Sequence, residues 1–450
     1  SFYRPPDDTP ELKYLKQCRT ALGGHLPARS TKGDSIVIPA LKIFERLLQE
    51  TGEREISTTQ ALVQAMTLLC KDKNIGQRVV PIVPDEARTF GMEGMFRQIG
   101  IYAHEGQKYE PVDRDQLMYY KENQSGQLLE EGITEDGAMS SWIASATAYS
   151  NSGMQMIPFY IFYSMFGFQR IGDLVWAAGD MQARGFLIGA TSGRTTLNGE
   201  GLQHEDGHSQ IMAGNVPNCV SYDPTFSHEL MVIMQNGMER MFKKQENVFY
   251  YITTMNENYS HPGLSKGQEK NIVKGMYLLQ KGKKGKTRVQ LLGSGSILRE
   301  AIAAADLLSA DFKVEADIWS CTSFNQLKRD GDDVSRWNML HPDKKPKMSH
   351  VEKCLLDTDG PVVAATDYVK LFADQIRAYV PRSYSVLGTD GFGRSDSRQA
   401  LRKHFEVDRY YIAVASLNAL MEDGSVSFKT VNGAIKKYGI DPNKNNPLMS

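Results

Sequence analysis

Met156-Ile157-Pro158-Phe159-Tyr160-Ile161-Phe162-Tyr163 is a run of apolar and aromatic residues with no polar alternation. A strand with one face in water alternates polar and apolar residues, whereas a run like this is covered on both faces. Similar short runs occur at Val79-Val80-Pro81-Ile82-Val83, Phe186-Leu187-Ile188-Gly189-Ala190, Cys219-Val220-Ser221-Tyr222 and Val248-Phe249-Tyr250-Tyr251-Ile252. Between them lie segments of helical character. Ser57 or Thr58 caps a helix running to about Cys70. The Ala- and Ser-rich stretch Ala138 to Tyr149 reads as a second helix, a segment holding Arg170 and Trp176 as a third, and 226–243 as a fourth. Apolar strands alternating with helices predict a mostly parallel, doubly wound sheet with helices on both faces.

A Lys/Gly-rich turn, Lys281 to Lys286, interrupts this pattern. The alternation then restarts with Val289 to Gly293, an Ala-rich helix over 297–308, and strands near 314–319, 361–365 and 384–388. The fold class is therefore α/β, with two open, mostly parallel sheets. Residues 1–54 read as a connecting arm, with prolines at 5, 6, 10, 27 and 39 and short helical stretches near 11–20 and 40–50. Residues 55–270 form a first α/β domain and 271–450 a smaller second one.

Composition narrows the function. The 450 residues carry a formal net charge of -1, which sets up no field attracting nucleic acid or an anionic membrane. No apolar stretch is long enough to span a bilayer. The five cysteines, Cys18, Cys70, Cys219, Cys321 and Cys354, show no CxxC spacing and read as reduced thiols of a cytoplasm-like compartment. The chain begins Ser-Phe-Tyr, without an initiator Met, which reads as a piece of something longer.

In an open α/β sheet, ligands collect at the carboxyl ends of the strands. Three polar clusters are expected there: Asp85-Glu86-Ala87-Arg88, the segment around Glu135, and Gly199 to His208. Glu135 opens the Ala-rich helix, where an acid ordinarily complements the helix dipole. The aromatic stretch Phe159 to Phe168 and His204 give it other company. Rings, an acid and a histidine together suit a flat heteroaromatic ligand. His204-Glu205-Asp206-Gly207-His208 matches H-E-x-x-H, but its Asp-Gly and the preceding Gly199-Glu200-Gly201 oppose the helix a zinc protease needs. Gly293-Ser294-Gly295-Ser296 lacks the third glycine of a dinucleotide fingerprint and reads as a strand-to-helix turn.

Pro84 to Gly94, Gly199 to Ser209, Arg336 to Pro342 and Gly388 to Asp396 together resemble the homodimeric bacterial pyruvate dehydrogenases, the thiamine-diphosphate-dependent first components of the pyruvate dehydrogenase complex, within the transketolase-like superfamily. The resemblance covers nearly the whole chain and corresponds to the middle, pyrimidine-binding domain and the C-terminal domain. It implies oxidative decarboxylation of pyruvate and transfer of the acetyl unit to a lipoyl group on the acetyltransferase component, in a bacterial cytoplasm. Glu135 would hydrogen-bond the ring nitrogen of the cofactor's aminopyrimidine and promote its imino tautomer. Tyr163 and Phe166 would lie against that ring, and His204 would face substrate. Glu86 and Asp85 would form an acidic group near the dimer interface, with Arg88 and Arg170 as charge partners; the resemblance makes Glu86 a candidate catalytic residue and Asp85 and Arg170 candidate cofactor contacts, a purely structural ion-pair role being the alternative. His208 and the Gly391 to Asp396 motif read as structural. The family's motif for Mg2+ and diphosphate is not in these residues, so the resemblance places those ligands in a missing N-terminal domain. Without it, the isolated segment is expected to turn over little. A transketolase, or a dimeric scaffold without catalysis, are the other readings.

Overall fold

A computed structural model describes residues 3–24, 30–85 and 87–450. Its first sheet has six strands: β1 (Val79–Val83), β2 (Leu129–Glu130), β3 (Ile157–Tyr163), β4 (Phe186–Ala190), β5 (Cys219–Tyr222) and β6 (Phe249–Thr253). Their order is β2-β1-β3-β4-β6-β5, and every pairing is parallel. All seven residues of β3 are buried, as its unalternating composition requires. One hydrophobic core surrounds this sheet and takes in Phe44 and Leu47 from the first fifty residues. The helix Pro10–Ala21, by contrast, buries none of its residues.

Local signals set the helix ends. Ser57 and Gln60 form a capping box at the start of Thr58–Cys70. Thr134 caps Glu135–Ser152 by accepting a hydrogen bond from the Gly137 amide, and Gly153 ends that helix in the left-handed conformation at φ 73°. The helix Ser164–Asp180 follows β3 directly, without a loop.

The second sheet contains β7 (Tyr277–Gln280), β8 (Arg288–Gly293), β9 (Glu315–Ser320), β10 (Val362–Ala365) and β11 (Tyr384–Leu387), ordered β11-β10-β8-β9-β7. Four strands are parallel and the edge strand β7 is antiparallel to β9. Alternation along β8 sends Val289 and Leu291 into one core and Leu292 into another, so helices cover both faces. The two sheets meet through buried polar contacts. Ser323 Oγ donates to Ser221 O at 2.6 Å, Asn325 Nδ2 to Gln210 O at 2.7 Å, and the Asp223 amide to Thr322 O at 2.8 Å. All five cysteines are free thiols. Among the described residues no helix is long and apolar enough to cross a membrane.

Trp142 ties the helix Glu135–Ser152 to the first sheet. It is fully buried, its Nε1 donates to Phe186 O at 3.0 Å, and its ring meets Phe249 edge-on at 5.9 Å. Trp142→Ala is expected to lower stability by about 3–5 kcal/mol. Chemical denaturation followed by far-UV circular dichroism measures this.

Candidate active site

Because every strand of the first sheet points the same way, the segments that leave the strands open along one edge. Register aligns them: Val83 lies beside Glu130, Ile82 beside Tyr160, and Tyr163 beside Ala190. From β1 the chain passes to β2 on one side and later to β3 on the other. That reversal of strand order opens a crevice at the ends of β1 and β3. Asp85 follows β1, Glu135 follows β2, Tyr163 ends β3, and the 191–208 loop follows β4.

Glu135 is the first residue of its helix and its side chain is 12% exposed. Its Oε1 accepts a hydrogen bond from Arg170 Nη1 at 2.6 Å. The Arg170 guanidinium also stacks on the Phe166 ring, 4.2 Å from its centroid. Beneath, Tyr160 donates its hydroxyl to the Glu135 carbonyl at 3.3 Å. The positive end of the helix dipole and the guanidinium thus face the same carboxylate.

Aromatic rings extend this wall. His204 lies 5.3 Å from Tyr163 and 5.1 Å from Phe166, and those two rings are 6.0 Å apart. Phe90 backs Tyr163 at 5.4 Å. Arg170, Phe166, Tyr163 and His204 therefore form a continuous surface next to Glu135. His204 ends a single 3-10 turn, Leu202–His204, with Nδ1 3.5 Å from Glu200 Oε2. His208 sits just before the helix Ser209–Asn215, its Nε2 2.9 Å from Gln169 Nε2. The two histidines of the H-E-x-x-H spelling therefore occupy a 3-10 turn and a separate helix start, not one helix face.

The acidic segment after β1 differs from expectation in its partners. Glu86 lies outside the described residues. Arg88 pairs with Asp113 and donates to Met118 O at 3.0 Å, and Arg170 pairs with Glu135. Asp85 is exposed and has no ion pair among the described residues. Its charge instead acts on Glu130. That carboxyl is pushed up to about 7 by burial, opposed by a hydrogen bond from Tyr120 and reinforced by the Asp85 and Glu122 charges.

Sequence reasoning overlooked Glu130, and it overlooked Glu205. Glu205 is fully buried, and burial pushes its carboxyl up to about 8. Its Oε2 accepts the Arg394 amide at 2.7 Å. The Gly391 to Asp396 motif closes a strand-to-helix turn, as its composition implied, and that turn grips the 199–208 loop. The Gly199 amide donates to Asp396 O at 3.1 Å and Ser395 Oγ to Gly199 O at 3.3 Å. The Gly293 to Ser296 segment is likewise a turn between β8 and the helix Ile297–Phe312.

Residues 38–262 match the family described as "Pyruvate dehydrogenase E1 component middle domain", and residues 275–408 match "Transketolase-like TK C-terminal domain". The chain belongs to the pyruvate dehydrogenase E1 component family. It is 60% identical over 446 residues to the pyruvate dehydrogenase E1 component of Cupriavidus necator, covering 98% of this chain and 50% of that protein. The Escherichia coli K12 protein of the same name is 56% identical over 448 residues, covering 99% of this chain and 50% of its own length. The chain thus spans about half the length of the curated relatives it matches. Solved transketolases share the fold at low identity. The Leishmania mexicana enzyme gives a TM-score of 0.62 at 14% identity, covering 86% of this chain and 48% of that one. A split-gene transketolase, described as an inactive β4 tetramer, gives 0.53 at 15% identity over 81% of this chain and 99% of its own. Glu135, Tyr163, Phe166, Arg170 and His204 all fall within the stretch matching the E1 middle domain.

Glu130 gives a pH signature. Its folded carboxyl titrates above the ordinary value of 4.5, so the folded state binds more protons than the unfolded one between about 4.5 and 7. Its contribution to stability is therefore complete below that window and is lost as pH rises through it. Glu130→Gln removes this dependence. The stability of the variant relative to the parent is expected to rise from pH 5 to pH 8, as measured by denaturant melts at both pH values.

Proposed function

We propose that this chain forms the pyrimidine-activating and C-terminal parts of a thiamine-diphosphate-dependent pyruvate dehydrogenase. In full-length form the enzyme would oxidatively decarboxylate pyruvate and acetylate the lipoyl group of the acetyltransferase component. The carrying observation is the continuous wall of Glu135, Phe166, Tyr163 and His204 at the strand-order reversal. A mostly buried carboxyl group next to a wall of aromatic rings fits an aminopyrimidine: the rings offer apolar contact, and the carboxyl would share a proton in a hydrogen bond with a ring nitrogen.

Thiamine diphosphate, when bound, supplies the nucleophilic thiazolium carbon and the electron sink for loss of carbon dioxide. The chain's own residues do the rest on this side of the cleft. Glu135 would hold the pyrimidine ring nitrogen through a shared proton and would supply acid-base chemistry at that atom. Tyr163 and Phe166 would line the ring's site with apolar surface and keep water from it. His204 orients the pyruvate carboxylate and moves a proton at the carbonyl oxygen. Glu86 and Asp85 add negative charge beyond β1, and Arg170 holds Glu135 in place. The diphosphate and Mg2+ are assigned to the part of the full-length relatives that this chain does not span. The working unit is proposed to be a homodimer in the bacterial cytoplasm. The 54–60% identity to proteins named pyruvate dehydrogenase E1 component favours this reading over a transketolase, whose solved structures share 14–16% identity.

In the full-length enzyme, Glu135→Ala is expected to lower kcat by about 10²–10⁴-fold with the fold intact. Pyruvate-dependent reduction of an artificial electron acceptor measures it. Near-normal turnover of the variant would overturn the role of Glu135. Sugar-phosphate ketol transfer by the parent, without pyruvate oxidation, would overturn the reaction.

A further inference from the structure

His204 has an exacting task on an unpromising support. Its turn is one 3-10 loop inside the Gly-rich 191–208 segment, and loops fix side chains less precisely than long helices or strands do. On the downstream side Asp206 anchors the loop to the first domain. It is buried and accepts the His208 amide at 3.0 Å, the Ser209 amide at 2.9 Å and the Ser209 hydroxyl. That anchor lies two residues past His204. The residue next to it, Glu205, turns the other way.

We propose that Glu205 is a positioning residue for His204, and that through it the turn Gly391 to Arg394 of the second domain sets the placement of the active-site histidine. This rests on the role given to His204 above. Three observations carry it. Glu205 Oε2 accepts the Arg394 amide at 2.7 Å, a contact spanning 189 residues of chain. Gly393 leaves no slack in that contact, because a Cβ there would stand 2.8 Å from Glu205 Cβ, Glu205 Oε2 and Leu202 O. Leu202 opens the His204 turn and Glu205 directly follows it. Finally, Glu205 Oε1 is buried without a hydrogen-bond partner among the described residues. A half-satisfied buried carboxyl costs stability that an apolar residue would not, so its use is better sought in geometry than in cohesion. Nearby, the buried Arg194 ties the same turn to the loop's root, donating from Nη1 to Thr389 O at 2.9 Å and to Gly391 O.

A misplaced catalytic group loses rate more than it loses ligand binding. In the full-length enzyme, Glu205→Ala is expected to lower kcat by about 10- to 100-fold, with thiamine diphosphate affinity unchanged within about twofold, because Glu135, Tyr163 and Phe166 stand on other elements. Glu205→Gln keeps an oxygen for the Arg394 amide and should retain most of the rate. Gly393→Ala presses on the contact from the other side and should show the same kcat-selective loss, which keeps the test open if Glu205→Ala does not fold. In a His204→Ala background, Glu205→Ala should cost nothing further. The proposal is overturned if Glu205→Ala turns over normally where His204→Ala does not. It is also overturned if the loss persists undiminished in the His204→Ala background or comes with an equal loss of cofactor affinity. An unimpaired His204→Ala enzyme would instead overturn the reading of His204 itself, and this proposal with it.

Discussion

Parallel strand order is the constraint on which the rest depends. Six strands running one way place every outgoing segment on a single edge, and their register brings Glu130 beside Val83 and Tyr163 beside Ala190. The chain reverses its direction across the sheet between β1 and β3, which leaves a crevice that no crossover helix fills. Glu135, the rings of Tyr163 and Phe166, and the His204 loop come from three different strand exits. Separation along the sequence therefore costs the site nothing. The price falls on the loops, which must be held by something other than the sheet.

What holds them is a polar seam between the two sheets. Arg194, Asp206, Asp223 and Asp367 are all buried there. Burial pushes the Asp223 carboxyl up to about 7 and that of Asp367 up to about 6. Asp367 accepts the Thr195 amide at 3.1 Å and the Ser296 hydroxyl at 3.1 Å, one partner from each domain. Hydrophobic contacts would bind the two units as firmly, but they slide. Hydrogen bonds to named amides fix register, and losing one partner of such a bond costs the full desolvation of the group left behind.

Most of the fold was legible because both sheets are built from strands covered on both faces, and such strands announce themselves as apolar runs. The edge strand Tyr277–Gln280 was not, since it is only four residues long and only its first residue is fully buried, so it makes no extended apolar run. Among site residues, Glu135 and His204 stood out by the company they keep in the chain. Glu130 and Glu205 did not. Glu130 lies in a two-residue strand, and Glu205 sat inside a spelling that drew attention to its histidines as metal ligands. Pairing was the least legible feature. Arg88 finds Asp113 and Arg170 finds Glu135, because a long side chain takes the nearest acid in space, and proximity in sequence says nothing of that.

Arg170 shows how such a pairing would serve the proposed ring-binding site. A mostly buried carboxylate at the wall of a cleft is costly unless a cation answers it. Arg170 answers it from a position 49% exposed, so its own desolvation is small. It is also held by the face of Phe166, 4.2 Å away, independently of Glu135. If a heteroaromatic ring takes over one oxygen of Glu135, the guanidinium can give up that bond and stay on Phe166, half in water. The arrangement stabilises the acid before binding without making its release expensive. A lysine would lack the planar stacking surface that permits this.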